Sequence, residues 1–368
     1  MKISRIAQLG AVAAIAALAL SGCASNEAGG TTDPSASDAP ALTGTLNGSG
    51  ATSQQVAVQA WTAEFQGANP DVTVNYDPQG SGTGRESFQS GAVQFAGSDR
   101  AFKAEEIEAG PFDACVEGSD LVEIPAYVSP IAIAFNLEGV DSLDLDPATI
   151  AGIFAGTITN WNDPKIAEAN PDVDLPDMPI TVVVRSDSSG TTFNFTGHLA
   201  AIDADFAAGP GAGTSVQWPA SDKIIKAPKN DGITATVMQT PGAIGYIEYG
   251  YGKLTGTPMA ILQNAAGAYV APGGEGGAEA LASAQFDDRM RAFITDPAGA
   301  EAYPIATFTW MVFYEHGQDA AKVAAIKEMV EYGLTDGQEM AEELGYIPMP
   351  ASVIDKVRAA AQDIGAGA

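Results

Sequence analysis

Short apolar runs alternate along the chain with stretches in which apolar residues recur every three or four positions. The runs have the length and composition of buried strands and lie at 42–46, 72–76 and 180–185. After the first run, Val58, Trp61 and Phe65 recur at helical spacing. A short helix is expected from Arg85 after the second run, and another through 195–202 after the third. Strands that alternate with helices are typical of parallel sheets, so the pattern predicts an α/β fold.

A turn rich in Gly, Ser and Thr joins each of these runs to its helix. The turns occupy residues 47–53, 80–84 and 186–192. Glycine lets the backbone approach another group closely, and Thr52 and Ser81 fall where helices begin with unpaired N–H groups. One such turn is an ordinary helix cap. Three helix N-termini directed at one point would form an anion-binding site.

The N-terminus has the pattern of an export signal. Lys2 and Arg5 precede an apolar stretch at 6–20, which is shorter than a full bilayer span. The stretch ends in Leu-Ser-Gly-Cys23, which resembles a lipobox, the motif whose cysteine receives a diacylglyceryl group. We expect 1–22 to be removed and lipidated Cys23 to anchor the protein on the extracytoplasmic face of the cell membrane. A plain secretory signal with an incidental cysteine is the alternative.

The segment after the signal differs in composition from the rest of the chain. Residues 23–41 are rich in Ser, Thr, Gly, Pro and Asp and have no apolar periodicity, which predicts a flexible tether. That leaves Cys115 as the one thiol of the folded part, since the chain has only two cysteines. An unpaired cysteine of this kind is expected to be a small buried apolar residue.

Charge and composition exclude several classes of protein. The 368 residues include 46 Asp and Glu against 17 Lys and Arg, a net charge of −29. A nucleic-acid binder needs a basic face, so that class is excluded. Hydrophobic residues make up 46% and the mean hydropathy is +0.04, which suits a large buried core and not a disordered acidic chain. The length suggests two domains.

Candidates for catalysis are few. The chain has two histidines, His198 and His316, and no metal-ligand spacing, nucleophile elbow or phosphate-loop lysine. A hydrolase would have to use Ser81 or Ser189 as its nucleophile without an evident base. We therefore expect a protein that is not an enzyme and that uses no metal or cofactor. A phosphohydrolase is kept as an alternative.

Seven motifs, taken in order, resemble one protein family. They are 48–52 (GSGAT), 80–82 (GSG), 93–99 (VQFAGSD), 156–163 (GTITNWND), 184–193 (VRSDSSGTTF), 230–233 (NDGI) and 241–249 (PGAIGYIEY). Together they resemble the periplasmic phosphate-binding proteins of bacterial phosphate ABC importers. The resemblance extends over about residues 43–360, and the ordered set is more specific than any single glycine-rich loop.

The resemblance implies a fold and a function. The fold is the two-lobed periplasmic-binding-protein fold of type II, in which two crossover strands join two α/β domains around a ligand cleft. We expect the crossovers at 122–128 and 304–308, which gives one lobe of 42–125 plus 306–368 and a second lobe of 126–305. The implied function is capture of inorganic phosphate by a monomer that delivers it to a membrane ABC permease and its ATPase. Another oxyanion or a phosphorylated molecule is the alternative cargo.

Matching positions imply which residues bind phosphate. They are the hydroxyl and amide donors of Thr52, Ser53, Ser81, Ser189, Gly190 and Thr191, the guanidinium of Arg185 and the carboxylate of Asp99. Ser53 would contribute its amide. Asp187 lies two residues after Arg185 and is expected to hold the guanidinium in plane.

Asp99 is the residue expected to select the anion. A buried carboxylate repels an anion unless the ligand brings a proton to share. Phosphate carries that proton at neutral pH and sulfate carries none, so sulfate should be rejected.

Two positions depart from the expected pattern or are ambiguous. Ser53 stands where many relatives have a large aromatic residue, and Arg100 either holds Asp99 ionised or points to solvent.

Overall fold

The computed structural model describes residues 41–282 and 284–365. The predicted signal at 1–22, Cys23 and the tether up to residue 40 lie outside the described residues. Within the described ranges, no helix is both long and apolar enough to cross a membrane.

Eleven strands and fourteen α-helices are described. The strands are β1 (Gly44–Gly50), β2 (Val72–Asp77), β3 (Phe95–Ser98), β4 (Leu121–Phe135), β5 (Asp144–Leu145), β6 (Thr181–Arg185), β7 (Ile224–Ala227), β8 (Ala243–Glu248), β9 (Ile261–Gln263), β10 (Tyr269–Val270) and β11 (Ala306–Tyr314). The helices are α1 (Gln55–Ala68), α2 (Ser81–Gln89), α3 (Ala104–Ala109), α4 (Pro147–Phe154), α5 (Pro164–Ala169), α6 (Gly190–Ile202), α7 (Ala204–Ala208), α8 (Lys229–Gln239), α9 (Tyr249–Thr255), α10 (Gly274–Ala282), α11 (Ala320–Leu334), α12 (Asp336–Glu339), α13 (Ala341–Leu344) and α14 (Ala351–Ala360). A 3₁₀ turn, Ala361–Asp363, follows α14.

Eight strands among the described residues form one sheet in the order β2-β1-β3-β11-β4-β8-β6-β7. The outer pairs are parallel, whereas β11 and β4 run antiparallel to their neighbours. Strands β5, β9 and β10 form a separate small sheet. Alternation of strands and helices has therefore produced the predicted α/β fold, which is confirmed.

The long strand β4 belongs to both halves of the large sheet. Its residues from Leu121 to Pro130 pair with β11, and those from Ile131 to Phe135 pair with β8. Separate hydrophobic clusters cover the two halves: one is built around Trp61 and Phe65, the other around Phe154 and Phe195. Two packed cores joined by continuous strands are suited to motion of one half against the other.

Three elements differ from the sequence-based expectations. Strand β1 continues to Gly50 through part of the predicted turn. Helix α2 begins at Ser81, not at Arg85, because Gly80 at φ 102° turns the chain directly into the helix. The sequence also predicts a helical stretch over 338–344, and the structure divides it into α12 and α13. The backbone of α12 packs against the Trp61 ring, and the indole N–H donates to the Gly337 carbonyl at 3.2 Å.

Candidate functional site

The structure brings all eight predicted site residues together where the two halves of the sheet meet. Thr52 and Ser53 lie in the turn before α1, Ser81 begins α2, and Asp99 follows β3. On the opposite side, Arg185 ends β6 and Ser189 caps α6. All are buried, as are Gly190 and Thr191. Three helix N-termini therefore surround one buried point, which is an arrangement that favours an anion.

Close contact between the two sides of the site depends on a glycine. A Cβ atom at Gly190 would lie 2.5 Å from Ser81 Oγ and 2.8 Å from Asp99 Cβ. Any larger residue would push the first turn of α6 away from Asp99. Asn194 in the same helix donates from Nδ2 to the Asp99 carbonyl at 2.7 Å. The N-terminus of α6 therefore packs directly against the backbone of Asp99.

The Asp99 carboxylate accepts hydrogen bonds from both sides of the site. Ser53 and Thr309 donate their hydroxyls to Oδ1 at 2.5 and 2.8 Å. Thr191 donates to Oδ2 at 3.3 Å, a longer and weaker bond. Burial raises the pKa of Asp99 above its ordinary value, and these hydroxyls together with the Arg185 charge oppose the rise. The ionised form of this acid therefore depends on its neighbours.

Thr309 is a site residue that the sequence analysis missed. It lies on β11, where the register against β4 shifts between Thr309 and Trp310. The extra residue of this irregularity is Ala126 on β4, so β11 keeps its alternation, and Thr309 reaches Asp99 because β11 pairs with β3, the strand that Asp99 follows. The available signal was the polarity of Thr307 and Thr309 in an otherwise apolar strand. That signal does not indicate which acid the hydroxyl reaches.

Arg185 is held by Asp187 in the geometry that a planar guanidinium favours. Nε donates to Asp187 Oδ1 at 2.8 Å and Nη2 donates to Oδ2 at 2.5 Å. Partial burial would raise the pKa of Asp187, but Arg185 outweighs that effect and holds the pKa below its ordinary value. The remaining guanidinium nitrogen, Nη1, lies 3.4 Å from Thr191 Oγ1 and so faces the site. Arg185 therefore presents a fixed positive charge to the point where the helices meet.

The hydroxyl of Thr52 is oriented by residues that sequence reasoning did not place in the site. Asn230 donates to Thr52 Oγ1 from Nδ2 at 2.9 Å and from its backbone N at 3.3 Å. Because Oγ1 accepts these bonds, its own proton is free to be donated elsewhere. Tyr251 fixes the backbone by donating its hydroxyl to the Thr52 carbonyl at 2.7 Å. Asn230 was visible only as part of a motif, and Tyr251 carried no signal of this contact.

A second buried acid lies close to Asp99. Glu248 caps α9 by accepting from the Gly250 amide at 3.0 Å, and its backbone N donates to Asn230 Oδ1 at 3.1 Å. Burial, reinforced by the negative charge of Asp99, raises the pKa of Glu248 to about 8. Glu248 is then largely uncharged at neutral pH. It stabilises the framework around Thr52 without adding a second negative charge to the site.

Arg100 points neither to solvent nor to the Asp99 carboxylate. Its side chain is 5% exposed and forms a two-pronged ion pair with Glu106, with both N–O distances 2.6 Å. Its guanidinium carbon lies 5.2 Å from the ring centroid of Phe193, in the range of a cation–π contact. Arg100 therefore packs α3 and the Asp99 loop against the first turn of α6.

The other candidate residues lie away from this cluster. His198 is buried on α6, where burial lowers its pKa to about 4, so it is uncharged at neutral pH. Cys115 is free but only half-buried, because it lies at the edge of the Phe88 cluster and not inside it. Across 41–282 and 284–365, no group of three or more His, Cys, Asp or Glu side chains is arranged to hold a metal ion.

Comparisons with known proteins agree on one group of relatives. The family model described as a PBP superfamily domain matches residues 34–330. The phosphate-binding protein PstS 3 of Mycobacterium tuberculosis is 35% identical over 362 residues, which cover 95% of this chain and 96% of that protein. The phosphate-binding protein PstS of Xylella fastidiosa is 32% identical over 340 residues, which cover 91% and 89%.

A solved structure shows the same architecture. It is that of a high-affinity periplasmic phosphate-binding protein, PfluDING, bound with phosphate. The likeness has a TM-score of 0.71 at 23% identity and covers 86% of this chain and 93% of that one. The two-lobed α/β fold expected from the sequence resemblance is confirmed.

Proposed function

The chain belongs to the PstS family of phosphate-binding proteins within the PBP superfamily, and from that premise we propose that it binds inorganic phosphate between its two lobes. Its role would be to capture the anion outside the cell as a monomer and deliver it to an ABC permease and its ATPase. The observation that carries the proposal is the Asp99 carboxylate, buried among hydrogen-bond donors from both lobes. Only a guest that brings a proton suits both the donors and the acid.

The donors around Asp99 suit a small tetrahedral anion. Thr52 and Ser81 offer hydroxyls, and the first amides of α6, at Gly190 and Thr191, have no acceptor within the helix. Arg185 supplies the one full positive charge among the eight residues and can bond two oxygens at once. Every one of the eight is buried, and a closed site of this kind disfavours a larger phosphorylated molecule.

Asp99 supplies the discrimination between oxyanions. An ionised Asp99 accepts the proton of hydrogen phosphate, whereas sulfate presents only a lone pair to it. Facing lone pairs in a buried site are strongly unfavourable, and sites of this type reject the wrong ligand by about 10⁴-fold. Molybdate is likewise without a proton and is larger. Inorganic phosphate therefore fits this acid better than the alternative cargoes.

Binding would draw the lobes together. We place one lobe at 42–125 plus 306–368 and the other at 126–305, with β4 and β11 as the connections. Hydrogen bonds cross the site between these lobes: Asn194 donates to the Asp99 carbonyl, and Tyr251 donates to the Thr52 carbonyl. An anion that bridges both sides would shift the population toward the closed form, which a permease could recognise.

Calorimetric titration of residues 42–368 tests the function. Phosphate is expected to bind with one site per chain, and sulfate about 10⁴-fold more weakly at neutral pH, because only phosphate shares a proton with Asp99. Equal affinities would remove that role from Asp99. The same protein should give no steady turnover of a chromogenic phosphate ester, and sustained turnover would favour a phosphohydrolase.

We further propose that Cys23 is lipidated and holds the protein on the extracytoplasmic face of the membrane. Support comes from the sequence pattern of charged start, short apolar stretch and small residues before Cys23. During bacterial expression, a palmitate analogue should label the full chain and not the Cys23→Ser variant. Cys115→Ser, which removes the other cysteine, is the matched control and should keep the label. Labelling that survives Cys23→Ser would contradict the anchor.

A further inference from the structure

The two oxygens of the Asp99 carboxylate accept different numbers of hydrogen bonds. Oδ1 receives two short hydrogen bonds, from Ser53 at 2.5 Å and from Thr309 at 2.8 Å. Oδ2 receives only the 3.3 Å bond from Thr191. A carboxylate oxygen accepts about two bonds readily, so Oδ1 is filled and Oδ2 has capacity left. Any proton that a bound anion donates to Asp99 would therefore go to Oδ2.

The direction of the Thr309 hydroxyl follows from a buried amide. Gln54 is fully buried, and its Nε2 lies 2.8 Å from the carbonyl of Trp310 and 2.6 Å from Thr309 Oγ1. A carbonyl can only accept, so this end of the Gln54 amide is the NH₂ group. Its second N–H then donates to Thr309 Oγ1. The Thr309 proton is left to point at Asp99, which makes the threonine a donor to the carboxylate.

Ser53 reaches the same oxygen from the turn before α1. The Tyr127 hydroxyl donates to the Ser53 carbonyl at 3.1 Å and so holds the turn in place. The short serine side chain puts Oγ within bonding distance of Asp99 Oδ1. The family resemblance implies a site contact only for the Ser53 amide. The hydroxyl is an additional contact that an aromatic residue at this position could not make.

We propose that Ser53 and Thr309 are specificity-determining residues that hold Asp99 ionised with Oδ1 filled, so that Oδ2 selects oxyanions carrying a proton. The inference rests on the proposed phosphate function and deepens it. Gln54 is a positioning residue, because it acts on Asp99 only through Thr309. The two hydroxyls determine the pH range over which the site distinguishes hydrogen phosphate from sulfate.

The surroundings of Asp99 show why two donors matter. Burial favours the protonated acid, and the nearby acid Glu248 favours it further if charged. The other groups facing Asp99 are Arg185, which favours the ionised form, and the phenols Tyr76, Tyr127 and Tyr251, which are neutral. A hydrogen bond to an ionised group typically changes an equilibrium about tenfold or more. Loss of either hydroxyl should thus shift the titration of Asp99 upward by about one pH unit.

The test is a titration of phosphate and sulfate from pH 5 to pH 9 with wild type, Ser53→Ala and Thr309→Val. In wild type, sulfate binding should appear only at the acidic end, where Asp99 becomes protonated and can donate to a sulfate oxygen. In both variants this onset should move about one unit higher, and the sulfate-to-phosphate affinity ratio at an intermediate pH should rise about tenfold. Thr309→Ser keeps the hydroxyl and should return the wild-type profile.

Thr307→Val is the matched control on the same strand. Its hydroxyl lies 3.3 Å from the Asp99 backbone carbonyl and does not reach the carboxylate, so the ratio and the pH profile should not move. Ser53→Ala and Thr309→Val lie on different elements, so one of them carries the test if the other fails to fold. Wild-type profiles in both variants would overturn this inference alone. Absence of phosphate binding by wild type would overturn the proposed function instead.

Discussion

The Asp99→Asn variant is expected to narrow the gap between its affinities for phosphate and for sulfate. The Ser53 and Thr309 hydroxyls donate to Oδ1, so the amide oxygen should occupy that place and the NH₂ group should face the ligand. An N–H there can donate to a sulfate oxygen that has no proton. The sulfate-to-phosphate affinity ratio should rise by about a hundredfold or more. Calorimetric titration with each anion measures the ratio.

The pH dependence gives the same variant a second readout. In wild type, sulfate affinity should increase as pH falls through the pKa of Asp99, because the protonated acid becomes a donor. The asparagine variant has no proton to gain, so its sulfate affinity should be flat over that range. Asp77→Asn removes an exposed carboxylate at the end of β2 and should leave both affinities unchanged. A variant that still rejects sulfate as wild type does would show that Asp99 is not the selecting group.

Arg185→Ala should weaken phosphate and sulfate alike, by about a hundredfold or more. Removal of one partner of a buried, hydrogen-bonded charge pair is strongly unfavourable, since the Asp187 carboxylate is left without its cation. The anion also loses its only charged donor among the eight residues. At the alkaline end of the pH range, where Asp99 stays ionised even without the Arg185 charge, the same titrations should show both affinities falling while their ratio stays constant.

Two further variants separate charge from geometry at this position. Arg185→Lys keeps the charge but loses the planar fork, so its phosphate affinity should lie between those of wild type and Arg185→Ala. Arg358→Ala removes an arginine that is 40% exposed and paired with Glu331, and should bind as wild type does. Phosphate affinity of Arg185→Ala within about threefold of wild type would contradict a direct contact between the guanidinium and the anion.

Local sequence was sufficient for the parts of the site that lie next to strand ends. The third turn is a good example, because Ser189 caps α6 as its position before an apolar-periodic stretch implies. Asp187 follows Arg185 by two residues, so their ion pair depends only on local geometry. The prediction for the second turn was less accurate, because α2 begins at Ser81 and not at Arg85. Gly82 and Gly84 belong to the predicted turn at 80–84, yet they lie inside α2, where other backbone and side-chain groups approach too closely for a Cβ atom.

Contacts between distant parts of the chain were not predictable in the same way. Thr309 and Asp99 are separated by 210 positions, and their hydrogen bond requires the pairing of β11 with β3, the strand that Asp99 follows. Asn230 reaches Thr52 across 178 positions. Arg100 was ambiguous from sequence, because either alternative was locally reasonable. Its pairing with Glu106 and its packing on Phe193 depend on where α3 and α6 lie.

Residue patterns along the chain were enough to predict the α/β class and the three turns that begin helices, and the family resemblance implied the acid and the arginine of the candidate site. The class and the turns depend on periodicity and on residues within a few positions of one another. The three-dimensional packing was needed to show that Ser53 and Thr309 both donate to one oxygen of Asp99, while the other oxygen accepts only the longer bond from Thr191. The physical reason is that a hydroxyl can donate to a carboxylate only within about 3 Å, and the distance between residues on different strands is set by strand order, register and packing.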